Sequence, residues 1–172
     1  MRIITPTSTR LVIVGLGQHL RRRWPRYAAG VVLFGWCSLH YRLGINHSAS
    51  LPGRLYLIEL NVQPRRNGEL VVFRWQRNAF FRPDRLFLKE IRGIAGQRID
   101  VVGRNVYVNG KFQGVAKTAS RRGTPLTPVA AGTIPCGYLY VGTAHPDSLD
   151  SRYAVTGLIG PDRIVGRAHV LF

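Results

Sequence analysis

The chain changes character at a short stretch, residues 45–56, which reads Ile45-Asn46-His47-Ser48-Ala49-Ser50-Leu51-Pro52-Gly53-Arg54-Leu55-Tyr56. An apolar segment flanked by arginines ends here, and short strand-like segments begin. Pro52 restricts the local backbone while Gly53 frees it, so the turn can hold a hydroxyl and a backbone N–H toward a peptide carbonyl. The stretch therefore predicts a boundary between two regions, with Ser50 as a candidate nucleophile at the entry to the second.

The sequence before this boundary has the pattern of a membrane anchor. Residues 1–26 contain six arginines and no acidic residue, and residues 27–39 carry no charge. Extending the apolar run to Ile45 gives 19 residues, close to the roughly 20 expected of a bilayer-spanning helix. The arginine excess predicts a basic cytoplasmic tail at 1–26, a single transmembrane anchor at 27–45, and a domain at 46–172 on the far side of the membrane.

Two other interpretations of the N-terminal segment remain open. A basic start followed by a short apolar core is also typical of a cleavable signal peptide, although the basic region is long for one. A charge-free run of 13 residues also suits a helix buried in a protein core.

The residues after 46 predict a mostly β domain. Apolar and β-branched segments alternate with Gly, Pro and Asn, and Asn109-Gly110 is a strong signal for a two-residue hairpin turn. A long connection is expected at 113–137. The predicted strands are 54–60, 70–74, 86–91, 99–102, 105–108, 138–141 and 164–172. Many short strands at close spacing favour an all-β or mostly β fold.

The net charge of +17 comes almost wholly from arginine, since only three of the 25 basic residues are lysine. Such a charge suits anionic lipid, nucleic acid or an acidic partner, or reflects arginine-biased codon usage. The arginines are scattered over tail, loops and strand ends, so no nucleic-acid partner is expected. CxxC, HExxH and tight His/Cys clusters are absent from the sequence, so neither a metal nor another cofactor is expected.

Lys89 is the candidate general base. In the predicted strand 86–91, period-2 alternation places Phe87, Lys89 and Ile91 on one face. An ammonium beside Phe and Ile loses hydration, which lowers its pKa and makes the neutral amine available. A lysine that protects a sheet edge from aggregation is the other interpretation.

A serine activated by a lysine needs no histidine, and Ser–Lys variants of the catalytic triad are known. Ser48 lies two residues before Ser50, and in an extended segment the two side chains share one side. Its hydroxyl can then donate a hydrogen bond to the developing oxyanion.

These residues resemble the motifs of the TraF-type conjugative-transfer signal peptidases, a branch of the type I signal peptidase superfamily. The similar segments, in order, are Asn46-x-Ser48-x-Ser50-x-Pro52, Leu88-Lys89-x-Ile91-x-Gly93-Ile94-x-Gly96, Val106-Tyr107-Val108-Asn109-Gly110, and Asp147-Ser148-Leu149-Asp150-Ser151-Arg152-Tyr153 followed by Ile164-Val165-Gly166-Arg167-Ala168. Together they cover residues 46–168, and the order of the motifs is more specific than any one of them.

The resemblance implies a type I signal peptidase-like, β-rich serine endopeptidase behind one N-terminal transmembrane helix, with a Ser/Lys dyad. It matches Ser50 to the nucleophile, Lys89 to the general base, Ser48 to the oxyanion position and Asp150 to the acidic residue of the last motif. The implied partners are a secreted precursor, such as a pilin of a conjugation apparatus, and membrane lipid. The implied location is the inner membrane, with the catalytic domain on the periplasmic side.

Several alternatives stay open. Asp150 can orient Lys89 or Ser151, or pair with Arg152 in a structural turn. Arg54 stands where the branch usually has Gly, a departure that bears on the substrate groove and leaves the dyad intact. At the level of function, the same fold can serve as a non-catalytic, membrane-tethered scaffold of a secretion machine. A basic nucleic-acid-binding protein and a self-cleaving repressor of the LexA kind agree less well with the motifs and the apolar segment.

Overall fold

The computed structural model describes residues 6–46, 51–76, 80 and 85–172, with side chains from residue 19 onward. The chain divides into two compact units, the first ending at His40 and the second running over Tyr41–Phe172. The described part of the first unit is a single helix, α1, over Pro6–His40.

The helix differs from the predicted tail and anchor. It begins at Pro6 and continues through most of the predicted tail, and it ends at His40 instead of Ile45. Tyr41–Ile45 is a strand paired with Leu55–Glu59, so its backbone groups bond across a sheet and are unavailable to a helix. The predicted transmembrane helix at 27–45 is therefore corrected. In the part of the chain that the structure describes, no helix is both long and apolar enough to cross a membrane.

The second unit is built from two antiparallel sheets. Their strands are β1 (Tyr41–Ile45), β2 (Leu55–Leu60), β3 (Leu70–Arg74), β4 (Leu86–Gly93), β5 (Arg98–Val102), β6 (Asn105–Val108), β7 (Lys111–Val115), β8 (Gly132–Thr133), β9 (Tyr140–Gly142) and β10 (Ile164–Val170). The larger sheet has the order β1-β2-β10-β3-β4-β9, and the smaller has the order β7-β6-β5-β8. A short 3-10 helix, Pro161–Arg163, leads into β10. The prediction of a mostly β domain is confirmed.

The hairpin predicted at Asn109-Gly110 joins β6 to β7. Both turn residues have positive φ, 49° for Asn109 and 76° for Gly110, as a turn of the I′ kind requires. The strand after it, β7, extends to Val115, so the connection predicted at 113–137 begins later than expected and contains the short strand β8.

The core consists of three apolar clusters. One includes Ile99 and Val108 of the smaller sheet, and another includes Val71 and Ile91 of the larger sheet. A third, smaller cluster lies around Tyr56. Leu149 packs against both of the first two clusters. The last sequence motif is therefore anchored where the cores of the two sheets meet.

Candidate active site

The predicted nucleophile Ser50 and the predicted oxyanion donor Ser48 lie outside the described residues. The chain on either side of them is held together. The backbone N–H of Asn46 donates to the Arg54 carbonyl at 2.9 Å, and the Asn46 side-chain amide donates to the Leu51 carbonyl at 3.4 Å. The end of β1 is therefore joined directly to the approach to β2.

The turn after Leu51 is held by Tyr56, whose side chain is buried. Its hydroxyl donates to the carbonyl of Pro52 and, at 3.3 Å, to that of Gly53. Gly53 has φ of 85°, and a Cβ there would come within 2.7 Å of Val170 Cγ1. Glycine is thus needed at position 53, and the departure at Arg54 is accommodated because that residue is exposed.

Lys89 is buried inside the larger sheet, with 5% of its surface exposed. It lies on β4 opposite Val71 of β3, and β4 is flanked on its other side by β9. A lysine on an interior strand does not protect a sheet edge, so that interpretation is wrong. The predicted alternation is confirmed at Ile91, which is fully buried, and at Phe87, which is half-buried.

The Lys89 amine meets a hydroxyl. Its Nζ donates to Ser148 Oγ at 2.8 Å, and both side chains are buried. No carboxylate of the described residues lies within ion-pair distance of Nζ. Burial lowers the pKa of Lys89; the charge of Asp150 opposes this, and that of Arg152 adds to it. The neutral amine that a general base requires is therefore reached at a lower pH than for an exposed lysine.

Asp150 is fully buried and forms a bidentate pair with Arg152. Arg152 Nε lies 2.8 Å from one carboxylate oxygen and Nη2 lies 3.0 Å from the other. Nη2 also donates to the carbonyls of His145, at 3.1 Å, and Ser148, at 3.2 Å. Of the alternatives for Asp150, the structural pairing with Arg152 is the one observed. The pair also ties down the turn that carries Ser148, the hydrogen-bond partner of Lys89.

Ser151 has its own partners. Its hydroxyl donates to the Gly157 carbonyl at 2.7 Å and accepts from the Val141 backbone N–H at 3.0 Å. Neither contact involves Asp150, so Ser151 attaches the last motif to β9.

Two more buried hydroxyls lie in this region, on Tyr140 in β9 and on Thr143 directly after it. Neither has a hydrogen-bond partner among the residues that the structure describes. Burial, and after it the charge of Asp150, raises the pKa of Tyr140, so the phenol stays neutral at ordinary pH. The charge at this site is therefore set by Lys89 and the pair of Asp150 and Arg152.

Comparisons with known proteins identify the family of this chain. A family model described as signal peptidase, peptidase S26, matches residues 26–172. The chain belongs to the S26 signal peptidase family. A curated relative of this S26 protein is the conjugal transfer protein TraF of Agrobacterium fabrum (strain C58), 27% identical over 84% of this chain and 91% of the relative. The resemblance to the TraF-type branch is thereby confirmed.

A solved structure is also similar to this S26 protein. It is a signal peptidase I from Enterococcus faecalis V583, 18% identical, with a TM-score of 0.38 over 62% of this chain and 98% of the other.

The site of this S26 protein includes one residue to which the sequence assigned no role. Ser148 belongs to the last sequence motif, and it is the described residue that contacts the Lys89 amine. The sequence feature that could have indicated this role is its position two residues before Asp150 in that motif. No local pattern, however, links Ser148 to Lys89, which is 59 residues away in the chain.

Among the described residues of this S26 protein, no group of three or more His, Cys, Asp or Glu is placed to hold a metal ion. The side chain of Asp147 instead contacts Lys117 and Arg121.

Proposed function

We propose that this S26 family member is a serine endopeptidase in which Ser50 and Lys89 form the dyad. The observation that carries the proposal is the state of Lys89, a buried amine hydrogen-bonded to Ser148 with no carboxylate partner among the described residues. A buried lysine with no carboxylate in contact costs folding free energy, and a base for catalysis is a reason to retain one.

In the proposed mechanism, neutral Lys89 removes the proton from the Ser50 hydroxyl while the serine oxygen attacks the carbonyl carbon of the scissile peptide. The Ser50 backbone N–H and the Ser48 hydroxyl donate to the oxyanion, each contributing about 3 kcal/mol to the transition state. Ser148 keeps the Lys89 side chain in place through its hydrogen bond. It is thus a positioning residue.

Lys89 then returns its proton to the leaving amine as the peptide C–N bond breaks, which leaves an ester between Ser50 and the substrate carbonyl. Water, or an amine if the product is cyclised, attacks this ester. The C–O bond breaks and the proton returns to the Ser50 oxygen through Lys89. Asp150 has no step of its own in this sequence; its bidentate contact with Arg152 holds the turn that carries Ser148.

The substrate class we propose is a precursor protein, such as a pilin, of a conjugative transfer apparatus. The similarity to a conjugal transfer protein named TraF supports this choice. We place the reaction on the periplasmic side of the inner membrane. Contact of α1 with lipid is supported by consecutive exposed apolar side chains at residues 31–34.

The test is processing of a pilin precursor encoded with this protein, in membranes that contain the full-length chain. Wild type is compared with Ser50→Ala and Lys89→Ala, and Lys111→Ala is the matched control because Lys111 is an exposed lysine on β7. We expect cleavage by the wild type and the control and none by the two dyad variants.

Other results would change the proposal in defined ways. If Ser50→Ala cleaves like the wild type, the nucleophile is wrong and Ser48 is tested next. If the wild type does not cleave but retains the precursor on co-purification, the non-catalytic scaffold is supported instead.

A further inference from the structure

A groove of about 610 Å³ lies beside the contact between Lys89 and Ser148. We call it the basic groove. Its described lining residues are Phe80, Arg85, Lys117, Ala119, Ser120, Arg121, Arg122, Thr124, Leu126, Asp147, Ser148, Leu149 and Tyr153. Ser148 both lines the groove and accepts the hydrogen bond from Lys89, so one side chain, that of Ser148, connects the groove to the proposed general base.

The charge of the described lining is strongly positive. Four lining residues are cationic and one, Asp147, is anionic, so four minus one leaves three net positive charges. Hydrogen bonds from Lys117 and then Arg121 lower the pKa of Asp147 to about 2, so it is a carboxylate at any working pH. Arg122 is exposed and has no carboxylate partner among the described residues. The groove therefore favours an anionic occupant.

The floor of the basic groove is apolar. Leu126 and Tyr153 are buried and Leu149 is half-buried, while Arg121 and Arg122 are exposed at its rim. An occupant that fits needs apolar groups for the floor and carboxylates for the rim. A peptide with mixed apolar and acidic side chains has both.

We propose that the basic groove binds an acidic segment of the precursor next to the bond that is cleaved, an inference that rests on the proposed function. A peptide is favoured over a lipid headgroup because Ser148 joins the groove directly to Lys89. A chain that approaches Lys89 from the side of Ser148 runs along this groove, whereas a lipid headgroup has no need to approach Lys89. Arg121 and Arg122 are then specificity-determining residues, which select acidic precursors.

Peptide binding to the full-length protein in detergent micelles tests the groove without any cleavage. The probes are two short fluorescein-labelled peptides of alanine, leucine and serine, one with a run of adjacent glutamates and the other with glutamines in their place. Fluorescence anisotropy gives the affinity of each. We expect the wild type to bind the glutamate peptide about 10-fold more tightly than the glutamine peptide.

Three variants sharpen the test. Arg121→Gln/Arg122→Gln removes two exposed rim charges and is expected to abolish the preference for glutamate. Arg65→Gln/Arg66→Gln is the matched control. It also removes two consecutive exposed arginines, but these do not line the groove. Asp147→Asn removes the repelling carboxylate and is expected to strengthen binding of the glutamate peptide by about 3-fold.

Equal affinity of the wild type for the two peptides would overturn the proposal. It would also be overturned if Arg65→Gln/Arg66→Gln lost the preference for glutamate to the same extent as Arg121→Gln/Arg122→Gln. Sedimentation with phosphatidylglycerol vesicles tests the lipid alternative. If the Arg121/Arg122 variant loses vesicle binding but keeps its preference for glutamate, the groove serves lipid and the proposal is wrong.

This experiment separates the groove from the dyad. A glutamate preference in a protein that processes no precursor would support the groove and count against the peptidase. Conversely, processing that needs Ser50 and Lys89, without any preference for glutamate, would support the peptidase and overturn the groove.

Discussion

Lys89 and Arg152 are two buried cations of the same domain, and their surroundings have opposite effects on them. Arg152 is held by a bidentate contact with Asp150. Burial opposes its charge, but the hydrogen bond and charge of Asp150 prevail, so the pKa of Arg152 is raised. Lys89 donates to a neutral hydroxyl, and burial lowers its pKa. A carboxylate partner makes a buried cation a permanent structural charge, while a hydroxyl partner leaves it able to titrate.

Arg152 and Lys89 also have different roles in the domain. Arg152 donates to the backbone carbonyls of His145 and Ser148, and so stabilises the turn. Lys89 depends on that turn for its own hydrogen-bond partner. We therefore expect a change at Arg152 to act on stability first, and a change at Lys89 to act on activity first.

Lys89→Met gives the largest expected effect. Processing of the precursor should fall by about 10³-fold, since the general base is lost. Stability should stay the same or rise by about 1–2 kcal/mol, because an apolar side chain of similar length replaces a buried amine. Urea unfolding and processing rates measure the two effects. Lys111→Met is the exposed control, and a strong loss of stability in Lys89→Met would show that Lys89 is a structural cation like Arg152.

Arg152→Met should destabilise the domain by about 3–4 kcal/mol, because Asp150 stays buried without its partner. Adding Asp150→Asn should restore part of this loss, since the uncompensated charge is then removed. Urea unfolding of the single and double variants measures the coupling. Equal stability of wild type and Arg152→Met would contradict the difference drawn between the two cations.

Ser148→Ala should lower the processing rate by about 10- to 100-fold, because the Lys89 side chain loses the contact that positions it. The cost in stability should be about 1 kcal/mol. Ser148→Thr keeps a hydroxyl and should recover much of the rate, whereas a merely structural serine would give the same rate with either replacement. The pH profile of Ser148→Ala should shift as well, since the hydrogen bond to the amine is lost.

The pH dependence of the free energy of unfolding is the smallest expected effect, and it distinguishes Lys89 from Arg152 most directly. With the pKa of Lys89 lowered in the folded state, the unfolded chain binds more protons between that pKa and the ordinary value of 10.5. Stability from this residue should therefore rise with pH through that window, by at most about 1.4 kcal/mol per unit. Unfolding measured across alkaline pH in wild type and Lys89→Met gives the contribution of Lys89 as the difference. A difference that falls with rising pH would mean that Lys89 is a stabilised cation.

Much of the arrangement could be predicted from local patterns. Alternation along one strand put Lys89 and Ile91 on one face, and Asn109-Gly110 indicated a hairpin, because side-chain direction and turn conformation depend on neighbouring residues alone. The motif around Asp150 indicated the possible partners of this carboxylate. The contact with Arg152, two residues away, is the one observed.

Other features depended on distant parts of the chain. The sequence pattern predicts that the helix continues through Tyr41–Ile45, but pairing with β2 makes this segment a strand. Ser148 meets Lys89 only because the last motif is anchored between the two core clusters. The basic groove likewise joins Lys117 and Arg121 to Asp147, about 30 residues further on.

The β-rich fold, the family and the candidate base can be predicted from the amino-acid sequence, since these depend on periodicity, turn residues and ordered motifs. The folded chain is needed to see that Lys89 has a hydroxyl partner and that Asp150 pairs with Arg152. Burial and the partner together set the pKa of each cation. Arg152 has its carboxylate two residues away, whereas the contact between Lys89 and Ser148 joins segments that are distant along the chain.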